Sequence, residues 1–297
     1  MKQLNSLIFK KEFTNNFPGD DSGNLQPRQT PGVLYSKAIP TPVADPTLIG
    51  WSDTLANQLG LLPADMDDVK ILGGNLVTSS MYPYSACYGG HQFGNWAGQL
   101  GDGRAITLGE FEAKGGRTWE LQLKGAGPTP YSRRADGRAV LRSSVREYLM
   151  SEAMFHLNVP TTRALSLVST GDSVLRDMFY NGDAQYEPGA IVARMAPSFI
   201  RFGNFELLAS RGEMENLKSL VDWTIANCYP HITGEDKVLT WFKEIVKRTA
   251  FLISEWLRVG FVHGVMNTDN MSILGLTIDY GPYSFLDEYD LSFTPNT

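Results

Sequence analysis

Seven glycines crowd the stretch from Gly89 to Gly109, the most glycine-dense part of the 297-residue chain. Glycine costs about 1 kcal/mol per helical position relative to alanine, so this stretch cannot be a packed helix. Its purpose is backbone geometry: tight turns and close approach of the chain to something else. Upstream, Pro18, Pro27, Pro31, Pro40, Pro42 and Pro46 exclude a long helix and predict an extended arm over 1–50. Downstream, Ala105 to Leu108 and Trp119 to Leu123 predict two strands joined through a turn at Lys114-Gly115-Gly116.

From Ser144 the apolar period changes to 3.6, with Val145, Tyr148, Leu149, Ala153 and Leu157 on one face. Ser144 followed by Glu147 fits a capping box at the start of that helix. Further strands are expected at Ala164 to Ser169 and Ala190 to Met195, then helix between Glu206 and Ala226 and a long helix from Val238 to Val259, ended by Gly260. Thr47 to Leu62 is expected to form one helix and Ile71 to Ser79 to end in a strand. Short strands are expected at Met271 to Leu274 and Leu276 to Asp279, before a turn-rich tail. Strands first and long helices later give an α+β class with a strand-rich N-lobe over 51–196 and a helical C-lobe over 197–297.

Composition excludes several function classes. Apolar residues at 42% and charged residues at 20% are those of a folded domain. The net charge of −6 argues against a protein that coats nucleic acid, while leaving room for a local basic pocket. Cys87 and Cys228 are the only cysteines, too few for a disulfide framework or a cysteine zinc site. Neither a signal peptide nor a membrane-length apolar run is present, so a soluble cytoplasmic protein is expected.

Four groups of residues could carry chemistry. Gly101, Gly103 and Arg104 could cradle phosphate, or form an ordinary hairpin turn. Lys124 ends an apolar strand, where a buried ammonium would need an anion such as Glu147; a solvated strand end is the plainer alternative. Arg133, Arg134, Arg138 and Arg142 surround Asp136-Gly137, with Arg194 and Arg201 further on, and would bind phosphate or make surface ion pairs. The last group is His263-Gly264-Val265-Met266-Asn267-Thr268-Asp269-Asn270, followed by Ile278-Asp279-Tyr280-Gly281. Protein kinases place H-R-D-x-x-x-x-N ahead of D-F-G and use the Asn and second Asp to hold Mg²⁺. Aligned on His263, that pattern puts Asn270 and Asp279 at the metal positions and Val265 at the catalytic aspartate. Valine cannot accept a proton, and Asp269 is the nearest replacement.

On these residues the chain resembles the bacterial form of the selenoprotein O family. The matching stretches are Tyr88 to Gly109, Leu123 to Arg133 and His263 to Gly281, within a similarity from about Phe17 onward. The resemblance implies a protein-kinase-like bilobal fold and a protein adenylyltransferase that moves AMP from ATP to Ser, Thr or Tyr hydroxyls of proteins. The nucleotide would be reversed, so that its α-phosphate meets the acceptor. Gly101, Gly103, Arg104, Asp136 and Gly137 would line the nucleotide, Lys124 paired with Glu147 would contact phosphate, and so would Arg194 and Arg201. Asn270 and Asp279 would hold Mg²⁺ or Mn²⁺, and Asp269 would accept the proton.

Two departures from the family pattern stand out. Some relatives carry a redox-active cysteine near the C-terminus, and no cysteine follows Asp279 here. Family members also continue through a helical C-terminal region, so a shortened member with an incomplete C-lobe is expected, its long helix keeping an apolar face partly uncovered. Transfer of UMP from UTP, or a catalytically dead nucleotide-binding scaffold, are the alternative readings.

Overall fold

The computed structural model describes residues 1–178, 181–290 and 292–295. Phe179, Tyr180, Leu291 and the end of the turn-rich tail, Asn296 and Thr297, lie outside the described residues. The chain is α+β and divides into two compact units that interleave in sequence. The first comprises Met1–Cys87, Gly101–Leu149 and Arg163–Pro197; the second comprises Tyr88–Leu100, Met150–Thr162 and the chain from Ser198 onward. No helix among the described residues is long and apolar enough to cross a membrane.

The first unit is built on a nine-stranded sheet. Its centre is the antiparallel run Ala105–Glu112, Thr118–Lys124, Gln185–Ala196, Arg163–Arg176. One parallel pair, Gly19–Asp20 with Tyr35–Lys37, makes the sheet mixed. The period of two along a strand sorts the side chains. Leu121 and Leu123 face a core with Ile106, Leu108, Leu55, Leu59, Ile71 and Leu72. Glu120, Gln122 and Lys124 alternate with them. Gln122 is paired in register with Thr107 on one side and Arg194 on the other, which sets a buried polar ladder across three strands.

Several expected elements change. Thr47 to Leu62 is not one helix: Thr47–Trp51 is a strand pairing with Arg163–Arg176, and Ser52 then caps a helix over Asp53–Leu59 that ends at left-handed Gly60. Gly50 pairs with Leu167 in that strand, and a Cβ on it would lie 2.9 Å from the Tyr148 ring. Ile71 to Ser79 gives the end of the helix Met66–Leu72 and then a loop, not a strand. The helix expected to start at Ser144 begins three residues earlier and runs Leu141–His156, so Ser144 is interior and no capping box forms there.

The second unit holds the helices Phe202–Ser210, Met214–Cys228 and Lys237–Arg258 and a hairpin of Gly89–Gln92 with Asn95–Gln99. Gly212, at φ +70°, breaks the region expected as helix between Glu206 and Ala226 into two. The long helix buries Trp241, Ile245, Leu252 and Trp256 and exposes Val238, Leu239, Phe242, Val246 and Leu257. Trp256 and Leu252 join Met154, Phe261, Met271 and Tyr280 in the core of this unit. Residues 271–279 fold as turns with single bridges, Met271 to Thr277 and Arg201 to Ser272, in place of the two short strands expected.

Candidate active site

In the first unit, the strand Thr118–Lys124 delivers Lys124 to the helix Leu141–His156. Lys124 Nζ lies 2.6 Å from Glu147 Oε2, and Arg194 Nη1 lies 3.0 Å from Glu147 Oε1. Arg194 also donates to Gln122 Oε1. Gln122 in turn donates to Asp102 Oδ2 at 3.2 Å and to Thr107 Oγ1 at 3.1 Å. Glu147 therefore serves two cations rather than the helix terminus. Burial without such partners would be costly for every one of these groups.

The glycines of the preceding loop answer to packing. A Cβ on Gly101, at φ +125°, would sit 2.5 Å from Tyr131 Cγ, and one on Gly103 would sit 2.7 Å from the Tyr131 carbonyl. Thr129 Oγ1 donates to the Asp102 carbonyl between them at 2.7 Å. Arg104 is exposed. Asp136 receives Arg176 at 2.7 and 2.9 Å and the Arg138 N–H at 2.9 Å. Burial would raise its carboxyl, but these donors hold it below the usual carboxylate range. Gly137, at φ +70°, has no room for a side chain: a Cβ would be 2.0 Å from the Gly127 carbonyl. Of the arginines around this turn, Arg142 is committed to Glu187 and Arg138 to the carbonyls of Thr41 and Pro42.

In the second unit, the loop after the long helix gathers Asp269, Asn270 and Asp279 near Arg201. Arg201 Nη1 is 2.6 Å from Asp279 Oδ2 and 2.6 Å from the Asp269 carbonyl oxygen. Asp269 is buried in a short 3₁₀ turn, Thr268–Asn270. Its Oδ2 accepts from Gln92 Nε2 at 3.0 Å, and its buried Oδ1 has no hydrogen-bond partner. Burial pushes its carboxyl above the usual range, with the Gln92 hydrogen bond acting in the opposite direction. His263 stacks on Trp256 with ring centroids 5.2 Å apart and accepts from the Val265 N–H at Nδ1, and burial lowers its pKa. Val265 thus contributes only backbone at this point.

The donor chemistry suits a hard divalent cation. Asn270 and Asp279 bring an amide oxygen and a carboxylate, the kind of ligands that Mg²⁺ and Mn²⁺ take. Among the described residues no group of three or more His, Cys, Asp and Glu is arranged for a metal.

A family model described as "Protein adenylyltransferase SelO" matches residues 28–297. The chain belongs to the SelO family. A SelO-family relative from Cytophaga hutchinsonii, named protein nucleotidyltransferase YdiU, is 65% identical over 297 residues, covering all of this chain and 58% of the relative. A protein of the same name from Azoarcus sp. (strain BH72) is 61% identical over 300 residues, covering 99% of this chain and 58% of the relative. The chain thus spans a little under three fifths of the length of these SelO-family relatives.

For this SelO-family chain, sequence reasoning missed the residues that shape Asp269. Gln92 and Gly90 lie in the glycine-rich segment, where motif spacing draws attention to glycines, yet a Cβ on Gly90 would fall 2.7 Å from Asp269 Oδ1. Glu206 was equally silent. It binds His91 Nδ1 at 2.8 Å and accepts from Thr268 Oγ1. The run Gly-Gly-His-Gln, polar residues after paired glycines, is the one sequence signal that could have marked this hairpin.

Proposed function

We propose that this chain carries the machinery of a protein nucleotidyltransferase that moves AMP from ATP to Ser, Thr or Tyr hydroxyls of acceptor proteins. Asp269 carries the reading: a buried carboxylate beside Asn270, with one oxygen held and the other without a partner, in a loop where Val265 occupies the position of a kinase base. In the proposed step, the acceptor hydroxyl gives its proton to the Asp269 carboxylate while its oxygen bonds to the α-phosphorus. The bond from that phosphorus to the α,β-bridging oxygen breaks, and pyrophosphate leaves. General-base assistance of this kind is worth about 10²- to 10⁴-fold.

The remaining roles follow from charge. Asn270 and Asp279 would hold Mg²⁺ or Mn²⁺, which when bound neutralises phosphate charge. Lys124, oriented by Glu147, and Arg194 and Arg201 supply positive charge for the phosphates. Gly101, Gly103, Arg104, Asp136 and Gly137 are assigned to the nucleotide contacts. The names of the relatives support nucleotide transfer to protein, and the family description supports AMP as the group moved.

The deciding experiment supplies ATP labelled at the α- or the γ-phosphate, with Mg²⁺ or Mn²⁺ and acceptor protein. Label retained from the α position only is expected, and it should vanish with EDTA. Retention of γ-label alone would overturn the reading, and preferential labelling from α-labelled UTP would change the nucleotide.

A further inference from the structure

We infer that Gln92 is a positioning residue for Asp269: its amide holds Oδ2 and so fixes the orientation of the carboxylate that takes the acceptor's proton. The inference rests on the reading of Asp269 as proton acceptor. Gln92 lies 177 positions before Asp269 in sequence, yet its Nε2 is 3.0 Å from Oδ2. The hairpin that carries it is tied to the Asp269 loop on both sides of that contact. The His91 N–H donates to Thr268 Oγ1 at 2.8 Å, and the Phe93 N–H donates to Asn267 Oδ1 at 3.0 Å. Glu206 joins the same assembly from the helix Phe202–Ser210 by binding His91 and Thr268. Three consecutive residues are thus anchored, with the amide of the middle one aimed at the carboxylate.

The chemistry of an amide suits the task. A guanidinium would engage both carboxylate oxygens and take up the lone pairs that must receive a proton. An amide donates to one oxygen and adds no charge, so it orients the carboxylate without neutralising it. Gly90 completes the arrangement. With a Cβ there 2.7 Å from Oδ1, any other residue would push on the carboxylate that Gln92 holds. The tip of the hairpin is held in an uncommon conformation, Phe93 at φ +50° and Gly94 at φ +80°, which lets the chain reverse directly after Gln92.

The test compares Gln92→Ala, Gln92→Met and Asp269→Asn in the α-labelled transfer assay, with thermal unfolding as the check on folding. Gln92→Met keeps about the length of the side chain and loses the donor without adding charge beside Asp269, so a purely packing role would leave it near wild type. We expect both Gln92 variants to lower kcat by about ten- to a hundredfold, with KM for ATP within about twofold of wild type, because small misplacements of a reacting group have effects of that size. Full activity in Gln92→Met, with Asp269→Asn inactive, would overturn the inference while leaving the role of Asp269 intact. An active Asp269→Asn would overturn the role of Asp269 itself. A crystal structure of Gln92→Ala decides independently of any activity: a displaced Asp269 carboxylate is expected, and an unchanged one would contradict the inference.

Discussion

Glu147 in the first unit and Asp269 in the second are both buried carboxylates, and their surroundings could hardly differ more. Each oxygen of Glu147 faces a cation, Lys124 at 2.6 Å and Arg194 at 3.0 Å. Asp269 has one neutral amide on Oδ2 and nothing on Oδ1. A carboxylate enclosed by cations serves to hold those cations in place. One left half-satisfied in a low-dielectric setting retains its affinity for a proton. Glu110 shows that burial alone does not make this difference. Burial raises its pKa too, yet its Oε1 accepts the Phe13 N–H and its role is structural.

The largest expected effect on stability is that of Glu147→Ala, which strips the shared anion from Lys124 and Arg194. Removing one partner of a buried ion network typically costs about 3–5 kcal/mol, readable by urea unfolding. A loss below about 1 kcal/mol, the range of exposed pairs, would mean that the network is not the closed structure described. Asp269→Asn should have the opposite character. Loss of a buried charge that has one neutral partner should leave stability unchanged or raise it by about 1 kcal/mol at neutral pH. A drop of more than about 2 kcal/mol would put Asp269 in the structural class with Glu147.

Glu110→Gln sharpens the point through pH. Burial raises the folded-state pKa of Glu110 above the ordinary glutamate value of 4.5, so the native state favours the protonated form. Its stabilising contribution is complete below the unfolded pKa and is lost as pH rises through the folded one. Glutamine mimics the protonated form, so the Tm of Glu110→Gln relative to wild type should rise between acid and neutral pH. A falling difference would contradict the assignment. The smallest effect belongs to Arg176→Ala, whose pairing with Asp136 is part-exposed, with 29% and 47% of the two side chains accessible. It should cost less than about 1 kcal/mol and diminish with added salt.

What could be read from sequence was local. The hairpin of Ala105–Glu112 with Thr118–Lys124 follows from alternation around Lys114-Gly115-Gly116, and the long helix from a 3.6 period. The contact between Lys124 and Glu147 could be anticipated from a strand end followed by a helix. Its second cation could not, because Arg194 reaches Glu147 only through the register of Gln185–Ala196 against Thr118–Lys124. Ser144 looked like a cap since its spacing to Glu147 matched one, but the helix starts at Leu141 and the carboxylate is committed elsewhere. Thr47 to Leu62 misled for a similar reason: apolar spacing fits a helix, while the partner strand at Arg163–Arg176 claims the first five residues. Gln92 and Asp269 meet across 177 positions, and no period or spacing encodes that contact.

The role of Asp269 is tested most directly by single-turnover transfer with Asp269→Asn beside wild type, with nucleotide affinity measured on both. Transfer of α-label to acceptor protein is expected to fall by about 10²- to 10⁴-fold while ATP binds within about threefold of wild type. Transfer at the wild-type rate by Asp269→Asn, with nucleotide bound as before, would show that the proton goes elsewhere and that Asp269 is not the acceptor.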